Sequence, residues 1–314
     1  MTEMFIYRRW CRFAVASLFF WVGLGSLACE SSQVMEMTGE PREIINGDDA
    51  DAADFPWMLE LLEVDIDPYS DDHRCGASIL SERWALTAAH CVYQEVEYND
   101  FDNLRIVVQE DDRTTQSGDE QVVDVERVII HPEFCERFNS TSAFYDSNCA
   151  FSMENDIALI QFASSINLIN GAQTIRPAVS NDESLVATLS GWGQTQRGQT
   201  YPLQACIKPA ADVLQEAELP WATASSCEND PDVLCYGTDT GDPDPAACHG
   251  DSGGPLVTHR ASGSFEQIGV VSAAIEPCTC LSFAKFTRVS KYADWIRQYV
   301  DDPAQAAARN LLLL

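Results

Sequence analysis

The chain is short of positive charge. Its 314 residues carry 19 lysines and arginines against 49 aspartates and glutamates, a formal net charge of −30. A surface of that sign repels nucleic acid and anionic lipid; it favours solubility, tolerance of salt and attraction of basic substrates. Histidine is scarce too, with five in the chain, and none stands at metal-ligand spacing. His73, His131 and His259 fall at polar strand ends and read as bystanders. Helical periodicity is almost absent before the C-terminus, and no solenoid-like repeat is recognisable, which excludes a helical bundle and a stacked-repeat array. The apolar run from Phe13 to Leu24 is too short for a comfortable membrane span.

Hydrophobic residues make up 46% of the chain, as in a globular protein. The length suits one large domain or two small ones. Short apolar stretches bounded by acids, glycine or proline read as strands. They include Trp57 to Leu62, Gly76 to Leu80, Trp84 to Thr87, Leu104 to Val108 and Gln121 to Ile130. Many short strands with turn signals between them point to barrels or sandwiches. Lys291 to Val300 alone has apolar positions at helical spacing, and Pro303 stops that helix.

The ends of the chain look like processing segments. Arg8, Arg9 and Arg12, the apolar run and Ser26-Leu27-Ala28 form a signal peptide over residues 1–28. Residues 29–43 read as a polar, acidic propeptide, and residues 303–314 as a disordered tail. Export implies an oxidising compartment and permits disulfides among the 12 cysteines. Leu27-Ala28-Cys29 also resembles a bacterial lipoprotein signal, although Ser26 departs from its usual aliphatic residue. Plain secretion, or a lipoprotein held at a bacterial cell envelope by a lipid on Cys29, are both left open.

The chemistry centres on Cys248-His249-Gly250-Asp251-Ser252-Gly253-Gly254-Pro255. A serine becomes a nucleophile only if its hydroxyl is held against a base and the oxyanion it creates is neutralised. Glycines allow a sharp turn around Ser252 that aims the N–H groups of Gly250 and Ser252 at one point. A base is available in Thr87-Ala88-Ala89-His90-Cys91, and its orienter in Asn155-Asp156-Ile157-Ala158-Leu159-Ile160. The order His, Asp, Ser is that of the chymotrypsin group and differs from those of subtilisins and α/β-hydrolases.

These three stretches resemble the chymotrypsin/trypsin family of serine endopeptidases, over roughly residues 44 to 300; Leu189-Ser190-Gly191-Trp192-Gly193 is a further family signature. The resemblance implies an all-β fold of two antiparallel six-stranded barrels with a C-terminal helix and the site in the cleft between them. It implies that Ser252 attacks a peptide carbonyl, that His90 moves the proton, and that Asp156 orients the imidazole. No organic cofactor is required. Ile44-Ile45-Asn46-Gly47 resembles the mature start of an activated protease, whose new ammonium pairs with Asp251. An activating protease is therefore an implied partner, beside the protein or peptide substrate.

The same resemblance implies further residues. Ala246 lies at the floor of the primary pocket, His249 at its entrance, and Ser272, Ala274 and Ala284 along its walls. An alanine floor with methyl groups on both walls suits small apolar residues. If the strand slipped by one residue, Lys285 would enter the pocket and suit acidic ones. Glu110, Asp112, Thr115 and Glu120 are spaced like the calcium loop of trypsins, two carboxylates joined by backbone carbonyls, and the alternative is a plain acidic hairpin tip. Expected disulfides are Cys75–Cys91, Cys227–Cys235 and Cys248–Cys278, with Cys135–Cys149 stapling an insertion between Phe134 and Phe151 to itself. Cys206 and Cys280 remain to pair with each other, and exchange of Cys278 with Cys280 is left open. A non-catalytic binding module on the same fold, and an esterase-like acyl hydrolase, are the rivals to a peptidase.

Overall fold

The computed structural model of the chain describes residues 44–64, 71–115, 118–136, 153–168, 171–180, 184–196, 209–222, 230–238, 244–260, 263–274, 280 and 283–300. All of them lie in one compact unit, Glu40–Leu314. The expected signal peptide, propeptide and tail, Cys29 and most of the insertion lie outside the described residues.

In chain order the strands are β1 (Asp48–Asp49), β2 (Met58–Val64), β3 (Asp71–Ser81), β4 (Trp84–Thr87), β5 (Leu104–Val108), β6 (Gln121–Ile130), β7 (Cys135–Glu136), β8 (Met153–Glu154), β9 (Ala158–Phe162), β10 (Arg176–Pro177), β11 (Val186–Gly191), β12 (Gln215–Pro220), β13 (Val233–Tyr236), β14 (Pro255–His259), β15 (Phe265–Ala274) and β16 (Ala284–Arg288). Helix α1 (Tyr93–Tyr98) follows β4, and helix α2 (Ala293–Val300) follows β16.

β2-β3-β4-β9-β6-β5 close into an antiparallel barrel. Side chains alternate across a strand, so a barrel wall shows apolar residues inside and polar ones outside. β6 follows this rule at first, with Val123 and Val125 buried and Val122, Asp124 and Glu126 exposed. A register shift against β9 between Val125 and Arg127 then moves the buried position to Val128.

The second sheet runs β1-β12-β11-β14-β15-β16-β13 with antiparallel pairs along this path, and short β10 pairs with β15 in parallel. It curls until its ends meet at an antiparallel bridge between Trp221 and Tyr236. Ala222 donates to the Cys235 carbonyl at 2.9 Å and Gly237 to that of Pro220 at 2.8 Å. The expected all-β class with two antiparallel barrels is therefore what the chain forms.

Helix α2 closes the fold, but it does so on the first barrel. Trp295 and Ile296 are buried in the same core as Trp84, Leu86 and Val92. Asp294, Arg297 and Gln298, on the other face, are exposed. Each fully buried apolar side chain of this size contributes roughly 1.5–3 kcal/mol.

Candidate active site

β4 and β9 decide where His90 and Asp156 meet. They pair antiparallel with Thr87 opposite Ala158, so residues just after β4 and just before β9 leave the barrel at the same end. His90 lies on the single 3-10 turn that follows β4, Ala89–Cys91. Asp156 lies just before β9. Asp156 Oδ2 is 2.7 Å from His90 Nδ1, and Asp156 Oδ1 accepts the His90 backbone N–H at 2.9 Å. A second bond to Oδ2 comes from the Ser272 hydroxyl at 2.6 Å. The Thr287 hydroxyl holds the Asp156 carbonyl at 2.8 Å.

Burial alone would raise the Asp156 carboxyl. The charge of His90 and the bonds from His90 and Ser272 outweigh it and hold the group below the usual carboxylate range. An ionised carboxylate on Nδ1 fixes the proton there and leaves Nε2 of a neutral imidazole basic. Sequence placed Ser272 on the pocket wall; in the fold its hydroxyl is directed to Asp156.

The Ser252 loop joins β13 to β14 and is clamped between the two barrels. The Ser252 carbonyl accepts the Gly76 N–H at 2.8 Å, Gly253 donates to the Val271 carbonyl at 2.8 Å, and Val271 donates to that of Gly254 at 3.0 Å. Gly76 neighbours Cys75, which is bonded to Cys91 beside His90. One disulfide and one hydrogen bond thus tie the serine loop to the turn that carries the histidine. Gly250 has φ 96°, a left-handed conformation that favours glycine.

Asp251 is fully buried. Its Oδ1 accepts the Gly193 N–H at 2.9 Å and its Oδ2 that of Cys248 at 2.8 Å. Burial, only partly offset by these bonds and by the charge of His73, pushes its pKa to about 6. A Cβ at Gly193 would lie 2.3 Å from the Asp251 carboxyl carbon, so only glycine fits there. Ile44 is completely buried in the core of the second barrel, and Ile45 is bridged to Ala246.

The other expected residues are placed as follows. Ala246 is buried among Ile45, Cys248 and Cys280. β15 and β16 pair Ala274 with Ala284 and Ala273 with Lys285. Ala284 and Phe286 pack into the second core, while Lys285 and Thr287 share a cavity of about 160 Å3 with Asp156, Ser272, Asp230 and Asp232. His249 is half-buried and its carbonyl accepts the Gln194 N–H at 2.6 Å.

Two disulfide expectations are corrected. Cys248 pairs with Cys280, which rules out both Cys248–Cys278 and Cys206–Cys280. The reason is burial: Cys280, 1% exposed, packs with Cys248 and Ala246. Cys75–Cys91 forms as expected. Cys135 and Cys235 are disulfide-bonded; Cys149 and Cys227, as well as Cys206 and Cys278, lie outside the described residues.

Sequence reasoning also passed over His73. It is no bystander at a strand end, because its side chain is 1% exposed and its ring nitrogens lie 2.8 Å from a Glu60 carboxylate oxygen and 2.8 Å from the Gly250 carbonyl. The signal that could have found it is its place two residues before Cys75, whose partner flanks His90. His131 sits against the rings of Tyr292 and Trp295, and exposed His259 against Phe265. Burial lowers the His131 pKa.

The acidic stretch brings Glu110 and Glu120 to one cavity of about 370 Å3, with Glu60, Arg113 and Thr115 also on its wall. Burial, then the charges of Glu60 and Glu120, push the Glu110 carboxyl to about 7. Its Oε1 is buried without a hydrogen bond. The Asp112 carboxylate is taken up by Thr114, leaving its carbonyl, which receives the Thr115 N–H at 3.0 Å.

Comparison with known proteins agrees with this geometry. Residues 44–296 match the family model for trypsin. The chain is 31% identical over 262 residues to trypsin-1 of Astacus astacus, covering 81% of this chain and 98% of that one. It is 29% identical over 271 residues to proproteinase E of Bos taurus, covering 82% and 94%. It is 32% identical over 267 residues to a trypsin of Phaedon cochleariae, covering 82% and 88%. On the motif order, the fold and these matches, the chain belongs to the trypsin family and is a trypsin-like serine endopeptidase.

Proposed function

We propose that the protein is an exported zymogen that cleaves peptide bonds through Ser252, His90 and Asp156, after small apolar residues. The observation that carries the mechanism is the fully buried Asp156 on His90 Nδ1, beside a serine loop clamped to the same barrel. Ser252 Oγ attacks the peptide carbonyl as His90 Nε2 takes its proton. His90 then gives that proton to the leaving amine, and water repeats the sequence on the acyl-enzyme. The Gly250 and Ser252 N–H groups receive the oxyanion, one such donor being worth roughly 2.7–4 kcal/mol in this chemistry.

Zymogen control is supported by the name of one relative, proproteinase E, and by the buried Asp251. A cut before Ile44 supplies the missing cation. The residue before that cut is Glu43, so an activator that accepts acidic residues is required. Small-residue specificity is supported by the buried Ala246 in place of an acid and by Ala284 on the inner face of β16. The N-terminal signal supports secretion, or attachment to a bacterial envelope through Cys29.

A fluorophosphonate probe, applied before and after removal of residues 1–43, tests the proposal. Labelling at Ser252 only in material that begins at Ile44 is expected. No labelling in either form makes the protein a binding module. A peptide library read on the same activated material is expected to show cleavage after Ala, Val or Thr. Cleavage after Glu or Asp that is lost in Lys285→Ala replaces that specificity with an acidic one.

A further inference from the structure

A groove of about 850 Å3 lies between helix α2 and the chain that leads from β9 to β11. None of its lining residues is among those placed around His90, Asp156 and Ser252. Ala293, Ile296, Arg297 and Val300 stand three and four residues apart, so one whole side of α2 forms a wall. Ile175 and Val179 line it from the connecting chain, and Phe265 from the start of β15. Ile175 and Ile296 are buried in the first core, whereas Val179 is 60% exposed. An apolar concavity with exposed aliphatic surface marks a place where something binds.

The charged side chains on the wall are both arginines, in a chain with more than twice as many acids as bases. Arg297 is paired with Asp294. The Arg176 guanidinium has no hydrogen bond or ion pair among the described residues.

The chain itself brings a matching segment to this place. Helix α2 ends at Val300, on the wall of the groove. Pro303 lacks the N–H that a helix needs and disfavours the helical region at Asp302, so the residues after α2 set out beside the groove and not along its axis. Fourteen residues follow Val300, and their reach of up to roughly 45–50 Å far exceeds what a return to that wall requires. The first two are acids, Asp301 and Asp302; the remaining twelve hold no acid, and eight of them are alanine or leucine, ending in Leu311 to Leu314.

We propose that the groove is the docking site of this chain's own C-terminal segment. Leu311 to Leu314 cover Ile175, Val179 and Ile296, and the acids that open the segment pair with Arg176. Residues 303–314, which composition reads as a disordered tail, are ordered by that contact. The proposal does not rest on catalysis, so its test is indifferent to the peptidase reading.

Hydrogen exchange, read by mass spectrometry on the full chain carrying Ser252→Ala to prevent self-cleavage, decides it. Residues 311–314 are expected to exchange at least ~10-fold more slowly than in the free peptide, and residues 174–179 more slowly than in a chain that stops at Asp302. Both effects should disappear in Val179→Glu, an exposed position whose change leaves the core intact, and in Leu312→Ser/Leu313→Ser; Arg176→Glu should weaken them. Exchange of residues 311–314 at the free-peptide rate overturns the proposal. So does slowing that fades on dilution as dimers dissociate in sedimentation, which gives the groove to a second copy. Protection of residues 174–179 that survives truncation at Asp302 but is lost on removal of residues 29–43 gives it to the propeptide and overturns the proposal as well.

Discussion

Asp251 is a buried carboxyl with two backbone donors, whose burial these bonds and the charge of His73 only partly offset. Its pKa stands at about 6 against an ordinary 3.8, so the folded chain holds its proton more tightly than the unfolded one. The resulting contribution to stability is complete below the ordinary value and is lost as pH rises through about 6. The shift corresponds to roughly 3 kcal/mol. Denaturant unfolding of the uncleaved precursor is therefore expected to show stability falling across that window, and Asp251→Asn to flatten the fall. Equal slopes in the two proteins reject the assignment. After a cut before Ile44 the dependence should vanish, because the new ammonium favours the charged carboxylate. At this scale the sequence was readable wherever a residue sat inside a motif, as His90, Asp156 and Asp251 do. His73 was not read as more than a bystander, since its partner Gly250 is 177 positions away and its place two residues before Cys75 is the one local hint.

The loop between β5 and β6 carries its information in another form. Hard oxygen ligands from one loop suit Ca2+. Glu110 and Glu120 face one cavity, where burial, then the charges of Glu60 and Glu120, raise the Glu110 carboxyl. At a calcium concentration about 100 times its dissociation constant, binding to the folded state alone adds about 2.7 kcal/mol. Thermal unfolding is expected to shift upward with calcium and downward with a chelator. The shift should disappear in Glu110→Gln/Glu120→Gln. An identical midpoint with and without calcium makes the stretch an acidic hairpin tip. The gain should be larger at pH 8 than at pH 5, because Glu110 must lose its proton to bind. Elements were legible in proportion to how regular they are. The alternation in β6 shows as far as its register shift, which no residue announces. In Cys278-Thr279-Cys280 two identical side chains stand one residue apart, and no local pattern says that Cys280 is the one that pairs with Cys248.

Across the whole molecule, the site is assembled from parts that are remote in sequence. His90 and Asp156 come from the first barrel, Ser252 from the loop before β14 of the second sheet. The two are joined by the Gly76–Ser252 bond and by Ser272 and Thr287 reaching back to Asp156. The architecture was legible because motif order, strand signals and a lone terminal helix agree with each other. Which barrel receives that helix was not legible, because amphipathicity shows that a face must be covered and leaves the covering surface unspecified. The answer bears on time. A chain is made from its N-terminus. Residues 58–162 hold every strand of the first barrel, yet part of that core is filled by Trp295 and Ile296. The first half to emerge is the half that must wait for the last. Until residue 296 has been made, the surface of the barrel that carries His90 and Asp156 lacks part of its cover. Assembly of the cleft is thereby deferred to the end of synthesis.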